Sequence, residues 1–123
     1  MTVCVYLVIA LLVATKLFDA VSTAQRIGHA SAETNPLARR MMMGVGTTRA
    51  IWIVFSLALA VIGAAGAAAV AGSDLVKLLF IVVGVAISVI QGAVASGNWS
   101  GRENAVTRRV RALHACLPAS RRK

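Results

Sequence analysis

A chain of 123 residues is long enough for one domain. At 59% hydrophobic and 14% charged residues it lies far from a soluble domain, where charged residues make up about 25%. Packed in water it would leave wide apolar patches, so lipid is the solvent that suits it. The net charge of +9 is concentrated beyond Gly97, where Arg102, Arg108, Arg109, Arg111, Arg121, Arg122 and Lys123 face Glu103 as the one acid. No nucleic-acid motif or interleaved aromatics accompany that charge, so it points to anionic headgroups rather than nucleic acid.

The first predicted span covers about 3–27 and opens on Val3, Val5, Leu7, Val8, Ile9, Leu11, Leu12 and Val13. About 25 helical residues reach roughly 37 Å, enough to cross a ~30 Å hydrocarbon core with tilt. Gly28 is a fitting stop just past the end. A cleaved signal peptide usually carries positive charge ahead of its apolar run, and nothing before Lys16 is charged. Lys16, Asp19, Thr23 and Arg26 follow at +3, +4 and +3, which puts them on one helical face with Ser22 beside them. A charge inside the bilayer is costly, so Asp19 invites two readings. One is an i,i+3 pair with a snorkelling Lys16, the carboxylate also hydrogen-bonded by a neighbouring helix. The other is a carboxylate facing a polar pocket.

Residues 27–48 form the first loop. Asn35 and Pro36 mark a helix start, Asn as N-cap and Pro at the first helical position. A short interfacial helix over about 36–43 is expected, stopping at Gly44 or Gly46, with Leu37 and Met41 dipping into the membrane and Arg39 and Arg40 reaching headgroups. Glu33 lies ahead of its N-terminus, where the helix dipole favours negative charge. Asp19, Thr23 and the Glu33-Thr34-Asn35-Pro36-Leu37 stretch, with Gly28 between, resemble a family of small prokaryotic membrane proteins catalogued as domain of unknown function 5658. The likeness runs from about Lys16 to Val61. It implies a compact helical membrane domain with these polar residues gathered at one membrane face, and it implies no activity.

The second span is expected over about 49–71, with Thr47 or Thr48 as its cap and Arg49 and Trp52 at the interface. Ser56, Ala60, Ala64, Ala68 and Gly72 repeat every four residues, a small-residue ridge that lets another backbone approach closely. Gly72-Ser73-Asp74 is a tight turn, and so short a link makes spans two and three antiparallel. The third span covers about 75–96, where Gly84, Ser88, Gly92 and Ser96 form a second four-spaced ridge. The two ridges are expected to face each other. Gln91 needs a hydrogen-bond partner, from a neighbouring helix or from a ligand.

Gly97 should end the third span and Trp99 anchor it at the interface. Ser100, with Glu103 three residues on, reads as a capping box for a tail helix. In that helix Val106, Val110, Leu113 and Leu117 form an apolar stripe, with Arg102 and Arg109 flanking it and Arg108 and Arg111 lying away from it. Residues 100–123 are thus expected to be a basic amphipathic tail whose helix ends at Pro118, lying on the membrane surface or docked on an acidic protein partner, beside a three-span domain of residues 1–99. Cys4 and Cys116 form neither a disulfide framework nor a metal spacing. The positive-inside bias places the first loop and tail in the cytoplasm and the N-terminus and Ser73 turn outside.

The fold expectation is therefore an all-α membrane protein of three transmembrane helices, an interfacial helix and a basic tail. Asp19, Thr23, Glu33, Asn35 and Gln91 gather at the cytoplasmic half as a candidate polar cluster. Ser56, Ala60, Ala64, Ala68, Gly84, Ser88 and Gly92 are the candidate packing positions. No nucleophile constellation, phosphate-binding glycine loop or metal-ligand spacing is present, and no cofactor is implied. The pattern favours a structural or assembly subunit in a homo-oligomer, or beside a larger membrane protein, over an enzyme. A ligand or metal site built on Asp19 and Glu33 is the alternative.

Overall fold

The computed structural model describes residues 1–26 and 36–100. It holds four helices: α1 (Thr2–Arg26), α2 (Pro36–Val45), α3 (Thr47–Ala71) and α4 (Asp74–Ser100). No strand occurs among the described residues. Helices α1, α3 and α4 are each long and apolar enough to cross a membrane. The loop around Glu33 and Asn35, and the tail with Arg102, Arg108, Arg109 and Arg111, lie outside the described residues.

Helix α1 is the centre of the bundle. It packs most extensively on α4, then on α3, while α3 and α4 touch each other little. Ile9 meets Gly66 and Ala20 meets Ala50 and Ile51, so α1 and α3 run antiparallel. Val8 and Leu12 meet Gly84, Thr15 meets Gln91 and Thr23 meets Asn98, so α1 and α4 run parallel. The turn at Gly72 and Ser73 thus joins two antiparallel helices that both lean on α1.

The sequence accounts for this pairing through a different repeat from the four-spaced ridges. On α1, Val5, Val8, Leu12, Thr15, Asp19 and Ser22 alternate +3 and +4, and all are buried or half-buried. On α4, Lys77, Ile81, Gly84, Ser88, Gln91, Ala95 and Asn98 alternate +4 and +3, and all are likewise buried or half-buried. A mean period of 3.5 residues keeps one seam facing its partner along the whole helix. Glycine is needed at Gly84, where a Cβ would run into Val8 Cγ1 and come within 3.3 Å of Leu12 Cδ1.

The two small-residue ridges therefore do not face each other. Gly84 and Ser88 are buried against α1, but Gly92 is half-exposed and a Cβ there would meet nothing within 4 Å. Ser56, Ala60, Ala64 and Ala68 are all exposed. α3 instead packs through Ile51, Phe55, Ala58, Ile62, Gly66 and Ala69. At about 100° per residue, Ala64 points roughly 160° away from Gly66. The cause is α1, whose Val8, Ile9 and Leu12 fill the space between the small positions of its two neighbours.

Several helix ends also differ from expectation. α2 runs on to Val45, and the break before α3 is Gly46, at φ +91°, a conformation that suits glycine. Gly46 takes the N-cap position of α3, no side chain caps it, and Thr47 is already helical. α4 passes through Gly97, which is buried, and ends at Ser100. Ser100 Oγ donates to Ser96 O at 2.8 Å, back into α4. On α2 Met42 is buried, packed with Ala20, Ala50 and Ile51, and Met41 is only half-buried against them. With Gly46 as the whole link, α2 is close enough to fold onto the α1–α3 pair.

These contacts rank three glycine substitutions. Gly84→Ala should cost about 1–3 kcal/mol, because the stiff β-branched Val8 must move. Gly66→Ala should cost less, since the nearest atom to the new methyl is Ile9 Cδ1, the free end of a flexible chain. Gly92→Ala should leave stability unchanged. Thermal unfolding of the three variants in one detergent gives the order, and equal melting for Gly84→Ala and Gly92→Ala would refute the seam.

Candidate functional site

The α1–α4 seam changes character at its middle. From Val5 to Leu12 it is apolar against Ile81 and Gly84. From Thr15 onward it carries Thr15, Asp19, Ser22, Thr23 and Arg26 against Gln91 and Asn98. Thr15 and Arg26 are eleven residues apart, so this polar half is about 16 Å long. In hydrocarbon each of its polar groups needs a partner within the protein.

The partners are found locally and across the seam. Lys16 Nζ binds Asp19 Oδ2 at 2.8 Å, with side chains 16% and 20% exposed. Ser22 Oγ, fully buried, donates to Asp19 O at 3.0 Å. Across the seam, Thr15 Oγ1 lies 3.0 Å from Gln91 Oε1 and also 2.9 Å from Leu11 O. A hydroxyl has one proton and cannot donate to both. The arrangement that satisfies every group turns the Gln91 amide over. Its N–H then donates to Thr15 Oγ1 while the Thr15 hydroxyl donates to the Leu11 carbonyl. About two turns beyond Asp19, Arg26 Nη1 donates to Asn98 Oδ1 at 2.7 Å. Asn98 Nδ2 donates to Thr23 Oγ1 at a long 3.4 Å. No buried side-chain nitrogen or oxygen among the described residues lacks a partner.

Of the candidate cluster, the structure brings Thr23 to Asn98 and Gln91 to Thr15, and it holds Asp19 on Lys16. Glu33 and Asn35 lie outside the described residues. Thr15 was missed by the polar-face reading, since it falls off the Lys16–Asp19–Thr23–Arg26 spacing. The alternating +3 and +4 repeat that begins at Val5 contains it, and would have found it. Among the described residues no group of three or more His, Cys, Asp or Glu is placed to hold a metal ion. Cys4 is an exposed free thiol at the opposite end of α1.

A second feature lies on the other side of α1. A groove of ≈ 410 Å³ is lined by Tyr6 and Ile9 from α1 and by Gly63, Gly66, Ala67 and Val70 from α3, with Ala71 at its end. Gly63, Ala67 and Ala71 are a further four-spaced small row, exposed like the adjacent Ala64 and Ala68. This half of α3 therefore presents almost no side-chain bulk. The exposed face of α4 is bulky by contrast, carrying Leu79, Val82, Val83, Ile87, Val89 and Ile90.

No family model, no curated protein and no solved structure matches the chain.

Two measurements separate a polar brace from a ligand site. Asp19→Asn and Lys16→Met should each destabilise the protein in bilayers, by up to the ~2.5–3.5 kcal/mol cost of a lone intramembrane charge. The double variant Lys16→Met/Asp19→Leu should recover most of that loss, because the desolvation cost leaves with both charges. A Thr15→Val/Gln91→Leu double-mutant cycle should give a coupling of about 0.6–2 kcal/mol. Zero coupling would place the two side chains apart.

Proposed function

We propose that the chain is a small multi-pass membrane subunit whose role is assembly. It associates through the small-residue face of α3 with a second copy of itself. The observation that carries this reading is a contrast between two faces. The polar groups of the α1–α4 seam are partnered within the chain, whereas the small rows of α3 face outward beside an open groove. In a bilayer no hydrophobic force drives helices together, so close backbone packing at small residues is a main source of attraction. Ser56, Ala60, Ala64 and Ala68, flanked by Gly63, Ala67 and Ala71, offer that approach along about four turns of α3.

The reading includes an orientation. Arg26, Arg39, Arg40 and Arg49 lie in the stretch joining α1 to α3, and Lys77 is the one cation near the turn at the other end. The positive-inside bias then puts the Arg26 end in the cytoplasm and the N-terminus outside. The basic residues Arg102, Arg108, Arg109 and Arg111 would join that side as an amphipathic, headgroup-binding tail. The alternative, a ligand or metal site on Asp19 and Glu33, has weaker support because Asp19 is already held by Lys16. The resemblance of Asp19 to Leu37 to a family of unknown function adds no activity to either reading.

Energy transfer between copies labelled at Cys4, in a Cys116→Ser background and in vesicles, tests the proposal. Transfer should rise with the protein-to-lipid ratio. Ala60→Leu/Ala64→Leu should weaken association tenfold or more with little change in melting temperature, and Val82→Leu on the bulky face of α4 should leave it unaltered. Equal transfer in the parent and the Ala60→Leu/Ala64→Leu protein would sink the assignment of this face. Transfer absent from the parent would sink self-association.

A further inference from the structure

At the Arg26 end of the α1–α4 seam a cation and two aromatic rings are held in fixed relation. Asn98 Oδ1 accepts from Arg26 Nη1 at 2.7 Å, and Asn98 is itself tied to Thr23. Its neighbour Trp99 lies 6.0 Å from Phe18, centroid to centroid, with ring planes 36° apart. Trp99 is 59% exposed and Phe18 40%, and Arg26 is exposed as well.

Among the described residues no carboxylate pairs with Arg26. The two carboxylates among the described residues, Asp19 and Asp74, are engaged by Lys16 and Lys77. The group that fixes Arg26 is a neutral amide, which orients the guanidinium without neutralising it. A guanidinium has five N–H donors in a planar fork, and Asn98 takes one. The rest suit the two oxygens of a phosphate.

The aromatic pair says what that phosphate is attached to. Phe18, Ser22 and Arg26 are four-spaced on α1, so Phe18 sits about 12 Å along the axis from Arg26, toward the middle of the span. A soluble anion needs only the cation. An anion on an apolar stem uses the cation and also the rings beside it. Tryptophan is also the side chain that favours the headgroup boundary.

We propose that Arg26, Asn98, Trp99 and Phe18 form a binding site for one phospholipid with an anionic headgroup. Its phosphate lies on the Arg26 guanidinium, and its glycerol and upper acyl chains lie against Trp99 and Phe18. A zwitterionic lipid carries its own cation beside the phosphate and gains less from Arg26, so the site selects for net negative charge. Basic pockets between helices at a membrane face recognise lipids by this chemistry. The inference rests on the membrane placement of the three helices and not on association through α3, so either can fail alone.

The chain contains two tryptophans, and Trp52→Phe leaves Trp99 as the sole emitter. This full-length protein is reconstituted in phosphatidylcholine bilayers containing a small, equal fraction of brominated phosphatidylglycerol or brominated phosphatidylcholine. Brominated phosphatidylglycerol should quench Trp99 several-fold more strongly. Arg26→Gln should bring the ratio to one, Arg26→Lys should keep part of it, and Asn98→Leu should lower it by freeing the guanidinium. Circular dichroism confirms helicity in each variant. A ratio of one in the starting protein overturns the site. A preference untouched by Arg26→Gln also overturns it and assigns the attraction to the Arg-rich tail. Relief of quenching by soluble glycerol phosphate would show that the pocket takes a free anion, and would overturn the lipid assignment.

Discussion

The bundle depends on the approach of α1 to α4 at Gly84. There the α4 backbone comes so close to Val8 and Leu12 that a single methyl has no room. Lipid surrounds the helices with atoms as apolar as their own side chains, so burial alone cannot choose a partner. Contact at a glycine gains dispersion energy that lipid tails, packing loosely around a branched side chain, cannot match. This contact also sets the register. With Val8 seated on Gly84, parallel helices bring Thr15 beside Gln91 and Thr23 beside Asn98 without further adjustment.

Apolar and polar halves of the seam then divide the work. The apolar half brings the helices close, and the polar half makes that register costly to leave. Sliding α4 by one turn would part Gln91 from Thr15 and Asn98 from Thr23 and Arg26, and a polar group left unpaired in hydrocarbon costs more than most single packing contacts. Polar residues in membrane helices attract functional readings. Here those of the α1–α4 seam are partnered inside the chain, and the open question moves outward to α3 and to the Arg26 corner.

The three long helices were legible in the sequence because runs such as Val3–Val13 and Leu78–Ile90 are apolar over the length that crosses a membrane. The Lys16–Asp19 pair was legible as well, since an i,i+3 geometry depends on one helix alone. The choice of neighbours was not. Four-spaced small residues on α3 and α4 mark where a backbone can come close, and they say nothing about which helix arrives. Gly97 looked like a helix end because glycine usually is one at a membrane face. It is interior because α1 packs near it and Asn98, one residue on, is tied to Thr23 and Arg26. The alternating three- and four-residue repeat from Val5 to Ser22 and from Lys77 to Asn98 held the pairing all along, hidden because its positions mix valine, glycine, threonine and lysine.

The parallel seam also has a consequence in time. The bonds that close it join residues 76, 72 and 75 positions apart. At about 5–20 residues per second of synthesis, Thr15 is made roughly 4–15 s before Gln91 exists. Through that interval α1 sits in the bilayer without the helix that completes it. Lys16 and Asp19 need no other helix to find each other, so the one full charge pair in the span is neutralised from the moment α1 forms. The first helix is thereby able to wait for the last.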